Sequence, residues 1–181
     1  MNIQPPFLTG ERIILRALTT DDASRDYLSW LNDPDVLRYR GPKAWPTTMA
    51  DLKDFLGGLS SRTDLVLAIR ESGADRHVGN IALNTILWPH GSAELSVMIG
   101  SKDVWGAGYG REAVGLLTKH AFERMGLHRI WAESPNPAFN ATVKTLGWYH
   151  EGTKREAFLL DGEHIDIECW GLLASAVDGQ E

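Results

Sequence analysis

Glycine recurs at every second position in the segment Trp105-Gly106-Ala107-Gly108-Tyr109-Gly110-Arg111, which runs directly into the clearest helical pattern of the chain. Without a Cβ the backbone can fold tightly there, and its N–H groups can converge on an anion. A helix start adds unpaired amides and the positive end of the helix dipole. Such a loop suits a diphosphate, and two cofactor classes carry one: dinucleotides and coenzyme A. The dinucleotide fingerprint is G-x-G-x-x-G after a strand, with an acid about 20 residues further on. Glu133 stands roughly where that acid belongs, but the spacing here is G-x-G-x-G, one residue short. The unit also lies past the middle of the chain, follows antiparallel-type strands and has no second βαβ half behind it. A tight turn without a ligand would need fewer than three alternating glycines.

Before the loop, Ala93–Ile99 (AELSVMI) reads as a strand whose alternation puts Glu94, Ser96 and Met98 on one face. His90 lies just ahead of it, after Trp88-Pro89, and histidine titrates near neutrality. His77, His120, His128, His150 and His164 have no clustered partner in the sequence, and no pair has zinc-ligand spacing, so no metal is expected.

The elements that must position these groups follow from periodicity and caps. Arg12–Ala17 is a first strand. Thr19, Thr20, Asp21 and Asp22 predict a helix start, with Ala23, Tyr27, Leu28 and Leu31 on one face and Asp33-Pro34 as its end. Pro46, Thr47 and Thr48 start a second helix that runs to about Gly57. Leu65–Arg70 and Val78–Leu87 are strands joined by a turn at Ser72–Arg76. Arg111–Met125 is a helix closed by Gly126. His128–Glu133 is a strand, Ala138–Leu146 a helix stopped by Gly147, and Glu156–Leu160 with His164–Leu172 a hairpin around Asp161-Gly162. The order lacks regular βαβ alternation and predicts an α/β fold, a mixed sheet with helices on both faces.

The chain has 181 residues, 43% hydrophobic and 23% charged, which suits one globular domain over 1–181 with about 8–174 as its compact core. A net charge of −6 and a pI of about 5.5 argue against broad nucleic-acid binding. Cys169 is the sole cysteine, so no intrachain disulfide forms, which fits a reducing cytoplasm. Met1–Gly10 lacks a basic region followed by an apolar run, and no apolar stretch approaches the roughly 18 residues of a membrane helix. A cytoplasmic protein without nucleic-acid or membrane partners is expected.

Several segments together carry a family resemblance: Gly10-Glu11-Arg12 with Leu15-Arg16, Trp30-Leu31-Asn32-Asp33-Pro34, His77-Val78-Gly79-Asn80-Ile81, Ala93-Glu94-Leu95 with Val97-Met98-Ile99-Gly100, Trp105–Gly110 with Glu112-Ala113, Gly126-Leu127-His128-Arg129-Ile130, and the Asp161-Gly162 hairpin. They resemble the GNAT superfamily of acyl-CoA N-acyltransferases, and within it the RimJ/RimL-type branch, whose members acetylate protein N-termini or small amines such as amino sugars. The resemblance covers nearly the whole chain and implies a GNAT fold with acetyl-CoA as co-substrate and no metal. It implies that the main chain of Val97, Met98 and Ile99 pairs with the pantetheine arm. Residues Trp105, Gly106, Ala107, Gly108, Tyr109, Gly110 and Arg111 would lie at the diphosphate, and Asn136 would open the next cofactor-side motif. Trp105 stands where the superfamily often has Gln or Arg, as is usual in this branch.

Amine acetylation needs a neutral amine, a polarised thioester carbonyl and a departing thiolate. Glu94 matches the strand glutamate that acts as general base in several superfamily members, and His90 is the rival base. Family members often carry a serine or tyrosine that serves the leaving sulfur; those positions here are Phe139 and Val143, neither of which donates a proton. Tyr149, close by in sequence, follows Gly147 on a strand. The acceptor would lie between the first two helices and the last hairpin, with Trp30, Tyr39, Arg40 and Trp88 as substrate contacts, and Trp45 and Glu156 nearby. Most of the seven tryptophans are expected to serve core packing, and Arg38 and Arg40 read more readily as solvated surface than as a phosphate site. A small-molecule amine, a protein N-terminus, or a non-catalytic acyl-CoA sensor are the functions this leaves; a homodimer is compatible with each.

Overall fold

The computed structural model describes residues 5–41, 45–59 and 64–177. Strand β1 (Leu8–Thr9) leads into β2 (Ile13–Ala17), and three short helices follow: α1 (Arg25–Trp30), α2 (Pro34–Leu37) and α3 (Met49–Gly57). Then come β3 (Leu65–Glu71), β4 (His77–Leu87), β5 (Ser92–Ile99), α4 (Tyr109–Glu123), β6 (Arg129–Ser134), α5 (Pro137–Thr145), β7 (Tyr149–Leu160) and β8 (Glu163–Leu173). All strands join one eight-stranded sheet in the order β1-β2-β3-β4-β5-β6-β8-β7. Only β5 and β6 are parallel neighbours; the other pairs are antiparallel. The expected mixed sheet with helices on both faces is therefore present.

Alternation divides each strand between two cores. Ile13, Leu15, Leu67, Ile69, Ile81, Leu83, Ala93, Leu95, Ile130 and Ala132 turn towards α4 and α5, where Val114, Leu117, Ala121 and Val143 meet them. Ala68 and Met98 face the other way, towards Tyr27, Trp30, Leu52 and Leu56 of α1 and α3. Beneath that second cluster Arg16 and Asp22 form a buried ion pair of 2.5 Å. No described helix is long and apolar enough to cross a membrane.

Three boundaries differ from the expected ones. Thr19–Asp22 does not begin a long helix. The Asp22 carboxylate is taken by Arg16 and by the Thr19 backbone, which closes a separate 3-10 turn, and α1 restarts with Ser24 as its cap. Asp33 both follows that helix and caps the next, with Pro34 in its first turn. Helix α4 starts at Tyr109 rather than Arg111, because Gly108 adopts the left-handed conformation (φ +86°) that turns the chain into the helix. Strand β7 begins at Tyr149 instead of Glu156. Its register breaks at His150/Gly152 and at Lys154/Phe158, and those bulges interrupt the alternation that marks a strand in sequence.

Candidate active site

Strands β5 and β6 are paired only at Ser92, Ala93 and Glu94 against Arg129, Ile130 and Trp131. Beyond Glu94 they part. β5 continues along β4 to Ile99, and β6 continues along β8 to Ser134. The edge of Leu95–Ile99 that faces β6 therefore has no strand partner, so backbone donors and acceptors border a wedge in the sheet. An extended ligand arm carrying amides can use such an edge as an added strand would. Glu94 sits at the vertex, and Val97, Met98 and Ile99 line one limb. Two of these three have qualifications. The Met98 side chain is buried in the α1–α3 cluster, and the Ile99 carbonyl accepts the Trp105 indole N–H at 2.9 Å.

The loop at Gly106–Gly110 closes over the same side as α4. Gly108 is the cap residue and has no side chain with which to bond the first-turn amides, so the N–H groups of Tyr109, Gly110 and Arg111 have no intrahelical partner. The loop's other face is heavily tied. Arg12 Nη1 donates to the Ala107 carbonyl at 2.7 Å, and Glu112 accepts from the backbone N–H of Arg12 (2.9 Å) and of Ile13 (3.3 Å). Tyr109 Oη donates to Glu71 at 3.2 Å, and Arg76 bridges Glu71 and Asp103. Burial pushes the Glu112 carboxyl up, but the Arg12 and Ile13 amides and the Arg12 guanidinium outweigh it and leave it below the usual carboxylate range. Asn136 caps α5, its Oδ1 accepting from the Ala138 N–H at 3.0 Å.

Glu94, Ser96 and Met98 share the α1–α3 face, as alternation predicts. Asn84, opposite Glu94 on β4, donates to Ser96 Oγ at 2.9 Å. The register breaks just beyond, between Asn84 and Leu87, and Thr85 there is held at φ +48° with its N–H on Asp64, an unusual backbone for a β-branched residue. On β6 and β8 the same face presents Trp131, Glu133 and Cys169, which line a shallow cavity of about 310 Å³ together with residues that include Ser92, Arg129 and Glu151. Lys154 reaches from β7 to Glu133 at 2.5 Å. Burial raises the proton affinity of Glu94, the Glu133 charge raises it further, and Lys154 opposes both.

The rival and acceptor-side residues scatter. His90 is exposed in a 3-10 turn with Trp88, ahead of the paired stretch Ser92–Glu94, at the closed end of the wedge. Trp88, 54% exposed, belongs to that same end. Trp30 is 6% exposed, and its ring lies 2.0 Å from where a Cβ on Gly100 would stand, so its surface is spent on the core and not on an acceptor. Tyr39 is half-buried beneath the Arg38 guanidinium. Arg40 is exposed over the residue as a whole, but its guanidinium lies close enough to the buried Tyr27 for burial to lower its proton affinity. Trp45 is the most exposed of the large apolar residues described, at 81%. Arg38 pairs with Asp161 at the hairpin tip (2.5 Å), which joins the α2 end to β7–β8 across this face. Glu156, in the β7 bulge at φ +52°, is exposed and donates its N–H to Asp166. Phe139 packs against the α4–α5 core and Val143 is wholly buried in it, while Tyr149 is exposed on the outer strand. Among the described residues no group of three or more His, Cys, Asp or Glu side chains could hold a metal ion.

Sequence reasoning assigns no place in this site to Arg12, Glu112, Glu133 or Lys154, although Arg12 and Glu112 lie within the resemblance segments. A carboxylate in a first helical turn is ordinary dipole complementation, so nothing marked Glu112 as a partner of a residue 100 positions earlier. Glu133 was noticed only as a substitute for a ribose-binding acid.

Comparison with known proteins matches residues 12–147 to the model of an acetyltransferase (GNAT) domain. The uncharacterised N-acetyltransferase YoaA of Bacillus subtilis (strain 168) is 24% identical over 173 residues, covering 93% of this chain and 97% of YoaA. The uncharacterised N-acetyltransferase p20 of Bacillus licheniformis is 28% identical over 176 residues, covering 92% and 95%. Among solved structures, spermidine N-acetyltransferase from Vibrio cholerae in complex with CoA and spermine superposes with a TM-score of 0.83 at 20% identity, over 92% of this chain and 98% of that one. A GNAT-family acetyltransferase from Bacillus anthracis superposes with a TM-score of 0.75 at 23% identity, over 93% and 98%.

Proposed function

The chain belongs to the GNAT acetyltransferase family, and from that premise we propose that it transfers the acetyl group of acetyl-CoA to a primary amine of a small molecule, such as an amino sugar or an amino-acid derivative, within a ternary complex. Its class is that of an acetyl-CoA-dependent N-acetyltransferase. The observation that carries the reading is the wedge after Glu94, where an unpaired strand edge runs towards a helix start with no side-chain cap. One feature suits an amide-bearing pantetheine arm and the other a diphosphate. The main chain of Val97–Ile99 would hold the arm, the Gly106–Arg111 amides the diphosphate, and Asn136 would stand at the adjoining helix. The segment matches set out above favour the RimJ/RimL-like branch. A cytoplasmic location and a homodimer belong to the same reading.

In the reaction the amine nitrogen attacks the thioester carbonyl carbon, the oxygen takes up negative charge, and collapse breaks the C–S bond. Glu94 takes the proton the amine gives up, directly or through a water. Its place at the vertex favours it over His90, which lies behind three paired residues. A backbone N–H near Ile99 would polarise the carbonyl. With Phe139 and Val143 in the core, the thiolate leaves with help from water or a main-chain amide.

Thiol release from acetyl-CoA, measured across small amines and N-terminal peptides, tests the proposal. Turnover of small amines is expected, and Glu94→Gln should lower it by about 10²-fold with acetyl-CoA affinity unchanged. Turnover of peptides alone would make a protein N-terminus the acceptor. Tight acetyl-CoA binding without turnover of any amine would replace the enzyme with a sensor.

A further inference from the structure

We infer that Arg12 is a positioning residue of the acetyl-CoA site: it aims the backbone of the glycine loop and neutralises the carboxylate behind it. The inference rests on the reading that this loop holds the donor's diphosphate. Arg12 lies just before β2, about a hundred residues from the loop in sequence. Its own backbone is fixed on both sides, since its carbonyl accepts the Ser72 N–H at 2.8 Å and its N–H donates to Glu112. The side chain then makes two further bonds, Nη1 to the Ala107 carbonyl at 2.7 Å and Nε to Glu112 Oε2 at 3.1 Å.

The first bond has a geometric consequence. The peptide joining Ala107 to Gly108 is planar and trans, so its C=O and N–H point in opposite directions. Holding the carbonyl towards Arg12 turns the Gly108 N–H away from Arg12, and among the described residues no group accepts from it. The guanidinium also lies 3.1 Å from where a Cβ on Gly108 would stand, close enough to fix this peptide's orientation. The second bond has an electrostatic consequence. Glu112 sits in the first turn of α4, where the helix end favours negative charge. A bare carboxylate there would compete with a diphosphate for the same field. Two amides and the guanidinium absorb its charge instead.

The test compares two acyl donors, acetyl-CoA and acetyl-pantetheine, the second of which has no diphosphate. For Arg12→Gln the KM for acetyl-CoA should rise about tenfold or more, the loss of a charged hydrogen bond, with kcat unchanged. Kinetics with acetyl-pantetheine should match the wild type. Arg12→Lys keeps the charge, but one ammonium replaces a fork that held both Ala107 and Glu112, so its KM should lie between the two. If Arg12→Gln does not fold, the lysine variant decides alone by the same donor comparison. An equal loss with both donors, or no loss with acetyl-CoA, overturns the inference. A wild type that uses acetyl-pantetheine as well as acetyl-CoA would instead remove the diphosphate reading of the loop itself, and the inference with it.

Discussion

Around the glycine loop the backbone is held from behind by Arg12, Glu112, Trp105 and the Glu71–Arg76–Asp103 cluster. Across the sheet, the region between the first helices and the β7–β8 hairpin, where the acceptor is proposed to bind, is framed differently. Its floor holds the buried Arg16–Asp22 pair and the Trp30 ring packed on Gly100. Its rim is held by the exposed Arg38–Asp161 pair, and its hairpin wall carries two bulges. On the proposed function, the donor side presents main-chain groups tied from behind, while the acceptor side presents side chains on elements joined by exposed contacts. This division suits a family in which the donor is constant and the acceptor varies.

The most damaging way to break this contrast is to disturb the donor backbone. Gly108→Val places a β-branched residue at φ +86°, which L side chains rarely adopt, with its Cβ against the Arg12 guanidinium. Acetyl-CoA affinity should fall by about a hundredfold or more, roughly the effect of losing two charge-assisted contacts. Calorimetry on the folded variant checks this, and unchanged affinity would contradict the loop assignment.

The same contrast explains what could be read in advance. A glycine at every second position, an alternating strand before it and a periodic helix after it are local patterns, each imposed by backbone geometry within a few residues. They located the loop, β5 and α4 to within two residues. Arg12 and Glu112 were illegible because their partnership depends on which strand ends up beside α4. The nearness of Glu133 to Glu94 depends on β6 running parallel to β5 for three residues and then diverging. The acceptor contacts fared worst. Trp30 is expected as a substrate contact because nothing in the sequence shows that Gly100 leaves room for its ring. The β7 bulges hide the first half of that strand from its alternation pattern.

A change of intermediate size would show whether the two sides communicate through charge. The proposed base Glu94 must be ionised to accept a proton, and burial, then the Glu133 charge, raise its proton affinity. The rate should therefore fall as pH drops through that raised pKa. Glu133→Gln removes the like charge and should move the acid limb of kcat/KM to lower pH. Lys154→Met leaves Glu133 unneutralised and should move it to higher pH. The acceptor's own ammonium titration is common to all three enzymes and cancels from the comparison. Coincident profiles would mean that Glu94 does not sense Glu133, or that another group titrates in this limb.

The smallest expected effect tests the rim. The Arg38 and Asp161 side chains are 50% and 69% exposed, so the pair contributes little to folding, about 0–1 kcal/mol. Asp161→Asn keeps the shape of the side chain and removes its charge. Urea denaturation should show a change within that range. The KM for the acceptor should change by a few-fold, roughly the factor that such an energy represents, because the rim loses an ion pair between the α2 end and the hairpin. The KM for acetyl-CoA should stay constant, since neither residue touches the loop or β5. Added salt should weaken the wild-type pair and bring the two enzymes together. If the donor KM moved with the acceptor KM, the two sides would be mechanically one unit, and the separation drawn between a fixed donor site and a lightly held acceptor rim would fail.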